Sequence, residues 1–159
     1  MGDDEPAFLA VEPGYKNVLR FRLGIVWLFI TAGALILDRA LLRQLGFGGF
    51  LPLVALAITA AVVIIAPQRI YRRLRYRLTG QVLQVLRGWL FHTDTVVPLV
   101  RVQHLDVIRG PFDKLFGTAS LVVHTAGTHN SIVALPGLSP DHAAAMRDVI
   151  REHVRSDFA

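Results

Sequence analysis

The chain has 159 residues, of which 53% are apolar, and a formal net charge of +5, with a mean hydropathy of +0.47 and a pI near 10.4. That length allows one compact domain and little else, and the apolar excess is too high for a soluble globule of ordinary composition. Cysteine is absent, which excludes disulfides, thiolate nucleophiles and cysteine-ligated zinc or iron–sulfur centres.

Residues 1–17 carry Asp3, Asp4, Glu5, Pro6, Glu12, Pro13 and Gly14 without a sustained apolar period, and a loose N-terminal tail is expected there. An acidic start, and Ala32-Gly33-Ala34 lying inside an apolar run, argue against a cleaved signal peptide. The first span runs from Leu23 to Leu37, fifteen residues, short against the roughly twenty needed to cross a bilayer. Arg20 and Arg22 can snorkel at one end, and Asp38 to Leu42 can continue the helix at the other. Trp27 then lies toward the Arg20 side, in reach of an aromatic belt. Gly46 and Gly48-Gly49 mark a turn, and Pro52 suits the first turn of a second helix.

Phe47 to Ala66 is twenty residues without a charge, followed by Pro67 and then by Arg69, Arg72, Arg73, Arg75 and Arg77 within nine positions. An apolar run of that length closed by a basic cluster reads as an exit from the bilayer. The expected division is a tail over 1–17, a two-helix transmembrane hairpin over 18–66 and a folded domain over 67–159. Lys16, Arg20 and Arg22 before the hairpin and the arginines after it outweigh Arg39 and Arg43 in the connecting loop. Both termini are therefore expected in the cytoplasm. The spans hold no Asp, Glu, Lys or His at their centres, so an ion or proton path is not marked. Ala57 and Ala61, one turn apart, are read as ordinary helix residues, with close helix approach as the other reading.

Arg73 to Leu78 alternates, placing Leu74, Tyr76 and Leu78 on one face and Arg73, Arg75 and Arg77 on the other, which predicts a half-buried strand. Thr79-Gly80 is a turn and Val82 to Arg87 the hairpin partner. After Gly88, further strands are expected at Val96–Leu99, Val102–Arg109, Leu121–Thr125 and Ile132–Leu135, giving an antiparallel sheet or small barrel. Ser139-Pro140-Asp141 starts a helix, with a capping hydroxyl, a proline at the first position and an acid in the first turn. Its apolar stripe is Ala143, Met146, Val149, Ile150 and His153, opposite Arg147, Asp148, Arg151, Glu152 and Arg155.

Pro98-Leu99-Val100-Arg101-Val102-Gln103-His104, Gly110-Pro111, Lys114-Leu115-Phe116-Gly117, Thr125-Ala126-Gly127 and Leu135-Pro136-Gly137-Leu138 form an ordered series. It resembles the bacterial pleckstrin-homology-like family of the YdbS-like type, over roughly residues 67 to 155. Phe112-Asp113 and Lys114 stand where that family more often has Leu-Glu and Arg, and lysine lacks the bidentate fork of arginine. The resemblance implies an α+β protein: a two-helix transmembrane hairpin followed by a mainly antiparallel β pleckstrin-homology-like sandwich or open barrel with a C-terminal helix. It further implies a bacterial inner-membrane location, no catalysis, and a longer relative with repeated copies of the domain as partner. Gly110, Gly117 and Gly127 are expected at turns or close contacts.

Chemistry is sparse. The six histidines include His124 and His129, five apart across a turn, with His92, His104, His142 and His153 scattered. They form no HExxH or comparable ligand pattern. Neither a G-x-S-x-G nor a phosphate or dinucleotide loop occurs, and Ser120, Ser131, Ser139 and Ser156 have no triad setting. No catalytic residue, metal or cofactor is expected, nor a nucleic-acid partner, because a basic run beside a span first indicates topology and anionic lipid. The arginines from Arg69 to Arg77 are the expected contacts with lipid headgroups. Trp89 and Phe91, in Trp89-Leu90-Phe91, are either core at a sheet end or a contact cluster. Arg101, Gln103 and His104 either order a sheet edge or, with Lys114, form an interaction surface.

The leading expectation is a non-catalytic module for protein interaction or assembly, with another membrane protein or a second copy as partner. An anionic-lipid-binding domain is the alternative, and an enzyme of unknown type is the remote one.

Overall fold

The computed structural model describes residues 7–42, 48–89, 91–126 and 132–156. Asp3, Asp4, Glu5, Pro6, Arg43, Gly46, Phe47, Leu90, Gly127, His129 and Ser131 lie outside the described residues. The chain divides into two compact units, Lys16–Arg69 and the combination of Met1–Tyr15 with Ile70–Ala159.

Two helices make up the first unit and extend slightly past its bounds: α1 (Gly14–Leu37) continues through a π-helical turn over Asp38–Leu42, and α2 covers Phe50–Arg73. Helices α1 and α2 each have 24 residues, about 36 Å at a rise of about 1.5 Å per residue, enough for a hydrocarbon layer of about 30 Å. Their large side chains point outward: Leu28, Phe29, Ile36, Leu53 and Ile64 are all exposed, the reverse of a soluble core and the arrangement lipid requires. The Oγ1 atoms of Thr31 and Thr59 lie 2.8 Å apart across the two helices. One hydroxyl donates to the other, and the acceptor hydroxyl is free to donate to the carbonyl four residues back, at Trp27 or Ala55. Both oxygens of the buried Asp38 carboxylate accept from the Gly49 N–H at 3.0 Å. Gly49 has φ +93°, a conformation suited to glycine.

The second unit contains two antiparallel sheets. One has the order β1-β2-β3-β4, from Leu9–Ala10, Arg75–Leu78, Val82–Gly88 and His92–Pro98; the other has β5-β6-β7, from Val102–Ile108, Ala119–Thr125 and Ile132–Leu138. A 3₁₀ turn over Leu99–Arg101 joins them. Period-two alternation buries Leu83, Val85, Val97, Leu121, Val123, Val133 and Leu135. Helix α4 (Pro140–Ser156) packs on β5 and β6 through Ala143, Met146 and Ile150. Its start is as expected, with the Ser139 hydroxyl accepting from the His142 N–H at 3.3 Å. These elements form an α+β, membrane-anchored pleckstrin-homology-like fold.

Three local expectations are corrected, and one element is added. The presumed loose tail supplies β1, paired to β2 as Leu9↔Tyr76 and Ala10↔Arg75. It is held further by the Glu12 N–H donating to the Gly137 carbonyl at 2.7 Å. Gly137, at φ +80°, leaves room for Tyr15: a Cβ there would come within 2.7 Å of the tyrosine ring. Second, α2 continues past Pro67 to Arg73, so Arg73 is helical and the basic face of β2 consists of Arg75 and Arg77. Third, Gly110-Pro111 opens a short helix, α3 (Pro111–Leu115). Its buried Asp113 accepts from the Gly110 N–H at 3.0 Å and the Thr118 hydroxyl at 2.9 Å. Fourth, Val149 is half exposed, because the helix turns that position away from the sheet while residues 143, 146 and 150 face it.

Candidate functional site

Of the five clustered arginines, Arg69, Arg72 and Arg73 occupy the end of α2 and are exposed, whereas Arg75 and Arg77 are half-buried on β2. Arg77 is engaged on its sheet. Its guanidinium lies 4.7 Å from the centre of the Phe8 ring, and Nη2 donates to Gln84 Oε1 at 2.7 Å. Gln84 Nε2 in turn donates to both carboxylate oxygens of Asp94, at 2.9 and 2.8 Å. The chain Phe8–Arg77–Gln84–Asp94 thus ties three strands and the N-terminal segment together, as cross-strand polar pairs do.

Trp89 and Phe91 stand at the turn between β3 and β4. Gly88 makes this turn tight: a Cβ there would lie 2.7 Å from the Phe91 carbonyl oxygen. The turn pushes its aromatic rings out, Trp89 to 42% exposure and Phe91 to 84%. Arg73 Nη1 donates to the Trp89 carbonyl at 3.2 Å, which brings a cation to the backbone of this turn. Neither ring is therefore core at a sheet end.

Arg101, Gln103 and His104 gather at the far end of β4. That strand has seven residues, which separates them from the aromatic turn by about 20 Å at about 3.3 Å per residue. The β5–β6 register slips between Val102 and His104, leaving Gln103 as the extra, exposed residue of a bulge. Lys114 is exposed on α3, a separate element. The sequence readings therefore fall on three places besides the end of α2 and β2: the Arg73/Trp89/Phe91 turn, the start of β5, and α3.

Two groupings take their surroundings from the fold. His104 and His124 are directly paired across β5 and β6, and both turn Nε2 toward Asp106, at 2.9 Å to Oδ1 and 3.3 Å to Oδ2. The imidazoles are spent on a carboxylate, and among the described residues no group of three is placed to hold a metal ion. The period-two spacing of His104 and Asp106 carried the signal for half of this cluster; the cross-strand partner depended on register. The second grouping is Arg147, Arg151 and Arg155, at positions i, i+4 and i+8 of α4, beside β5.

The shifted ionisations are structural. Burial raises the Tyr76 phenol above its ordinary 10.0, and the Glu12 carboxylate adds to this. The phenol is 2.9 Å from His142 Nε2, linking β2 to α4. Burial lowers the Arg87 guanidinium, which donates from β3 to the Ala134 carbonyl on β7 and so bridges the two sheets.

A sandwich of this kind with a closing helix, carried on two apolar helices, defines the class of membrane-anchored bacterial PH-domain proteins. The family model described as "Bacterial PH domain" matches residues 20–154, and the chain belongs to that family. The chain is 33% identical over 107 residues to the UPF0699 transmembrane protein YdbS of Bacillus subtilis (strain 168), a match covering 67% of this chain and 65% of that relative. The chain thus matches just under two thirds of the relative's length. No solved structure matches. The family is a domain of transmembrane proteins and not a known enzyme family, and the protein is a membrane protein with two spans.

Proposed function

We propose that the protein is a non-catalytic interaction or assembly module, held at the cytoplasmic face of a bacterial inner membrane with both termini in the cytoplasm. The observation that carries this reading is the aromatic turn. Phe91 at 84% exposure and Trp89 at 42% form an apolar projection of the kind that marks contact sites, fixed by a tight glycine turn. Basic residues flanking both spans support the cytoplasmic orientation. The resemblance to the YdbS-like family suggests the partner: another membrane protein, including a longer relative with repeated PH-like domains, or a second copy.

Arg73 at the same turn, with Arg69 and Arg72 exposed on the end of α2, favours one other reading, contact with anionic lipid. Each cation close to an anionic leaflet is worth about 1 kcal/mol. A photocrosslinking benzophenone amino acid in place of Phe91, activated in intact membranes, separates the two. Adducts with a polypeptide are expected. Adducts with lipid alone would transfer the turn to the lipid-binding reading and overturn the assembly one.

A further inference from the structure

Strand β5 is outermost in its sheet and hydrogen-bonded to β6 alone. Along an antiparallel strand the N–H and C=O groups face alternate edges, so every second residue from His104 to Ile108 presents them away from β6. Among the described residues no further backbone group meets them. Such an edge is a template for another extended chain. The bulge at Gln103 bends the start of the strand, and the regular register resumes at His104.

Helix α4 packs beside the start of this strand, and a groove of about 350 Å³ lies between its residues 147–155 and residues 102–105. Val102 and Leu105 from β5 and Val154 from α4 supply apolar lining, while Arg147, Arg151 and Arg155 form a basic wall with no carboxylate in the lining among the described residues. Arg147 is paired to Asp148 at 2.8 Å. Arg151 and Arg155 are exposed and make no ion pair or hydrogen bond among the described residues. Asp148 and Glu152 share a neighbouring hollow with Arg151 and Arg155 and lie outside this groove.

We propose that the groove takes an extended acidic segment of a partner protein, added as a strand beside β5, its carboxylates facing Arg151 and Arg155 and its alternate apolar side chains on the Val102/Leu105/Val154 lining. Strand addition draws affinity from main-chain hydrogen bonds and specificity from alternate side chains. The two guanidiniums, without an ion pair among the described residues, select the charge, since arginine pairs with carboxylates through a planar fork. This inference rests on the interaction-module reading and names the partner chemistry for one of its surfaces.

The test uses the full chain in nanodiscs, against a library of short random linear peptides. Selected peptides are expected to carry Asp or Glu at alternate positions. Binding of a synthetic representative should weaken at least about tenfold, or about 1.4 kcal/mol, in the Arg151→Glu/Arg155→Glu variant, less in Arg151→Gln/Arg155→Gln, and vanish when alternate peptide amides are N-methylated. Amide exchange should slow within residues 104–108 on binding. An unchanged thermal melt would show that the exposed substitutions leave the fold intact. Failure to enrich any peptide, enrichment without acidic bias, binding that survives N-methylation or displacement by the N-terminal Asp3-Asp4-Glu5 segment of a second copy as the preferred ligand would each overturn the proposal. A polypeptide crosslink at position 91 that persists in the charge-reversed variant, with no acidic peptide selected, would remove the groove proposal and leave the interaction reading standing.

Discussion

In the hairpin Leu28, Phe29 and Ile36 are exposed, whereas in the sandwich Leu83, Leu121 and Leu135 are completely buried. Similar side chains face opposite ways because the sandwich must remove them from water and the hairpin must offer them to hydrocarbon. The polar contacts follow the same inversion. Between the membrane helices a hydroxyl pair, Thr31–Thr59, supplies a specific link, and at the turn Asp38 holds Gly49. In the sandwich the polar groups organise the periphery around an apolar interior: Asp113 caps α3, and Arg77 spans strands through Gln84. One unit is stabilised by what it buries, the other by helical hydrogen bonding and a few directional contacts.

The sharpest test of that contrast is truncation on each side of it. Leu121→Ala removes a side chain with 0% exposure and should destabilise the sandwich by about 2–5 kcal/mol. Leu28→Ala, at 64% exposure, should leave the sandwich melt unchanged. The chain has two tryptophans, so a Trp27→Phe background leaves Trp89 as a reporter of sandwich unfolding. An equal effect of the two truncations would break the contrast.

A smaller effect is expected at alkaline pH, from Tyr76. Its folded pKa lies above the ordinary 10.0, so the folded state favours the neutral phenol. Below pH 10 the phenol is neutral in both states and its contribution is constant. As pH rises further the unfolded phenol ionises first, and stability falls through the folded pKa. The melting temperature of the sandwich should therefore drop above pH 10 more steeply than in Tyr76→Phe; parallel profiles would remove the linkage.

The smallest effect belongs to the hairpin. Thr31→Val, with Thr59→Val and the double variant in a mutant cycle, should give a coupling of about 0.6 kcal/mol, the average for hydrogen bonds between membrane helices. It would be read from unfolding of the hairpin in bicelles. A coupling of zero would leave the helices without this specific link.

Much of this architecture is legible in the amino-acid order. Two uncharged runs, the alternation around Tyr76 and the Ser139-Pro140-Asp141 start each carry a strong local signal, and each corresponds to an observed element. What was missed was weakly encoded. Strand β1 has two residues, too short for periodicity to register, and its stability comes from β2 and from contacts with Gly137. Pro67 suggested a boundary, yet α2 passes it. Asp113 was visible as a difference from related sequences, but its capping role depends on Thr118, five residues on.

The candidate surfaces divide in the same manner. The arginine cluster and the Trp89–Phe91 pair are contiguous and could be found by inspection. Their states could not, since the exposure of Phe91 follows from the turn at Gly88 and the engagement of Arg77 follows from strand register. The arginines at 147, 151 and 155 had a readable spacing, but the strand edge they face became apparent only with the sheet order.

The sequence by itself determined that the chain enters a membrane twice and ends in a mainly antiparallel domain closed by a helix, because run length, alternation and helix caps are local quantities. Only the tertiary structure decided that residues near the N-terminus join that domain, that β5 is left as an edge, and that a basic helix face lies beside it. Those outcomes depend on which distant segments pair, and hydrogen bonds between strands carry that information through register and order.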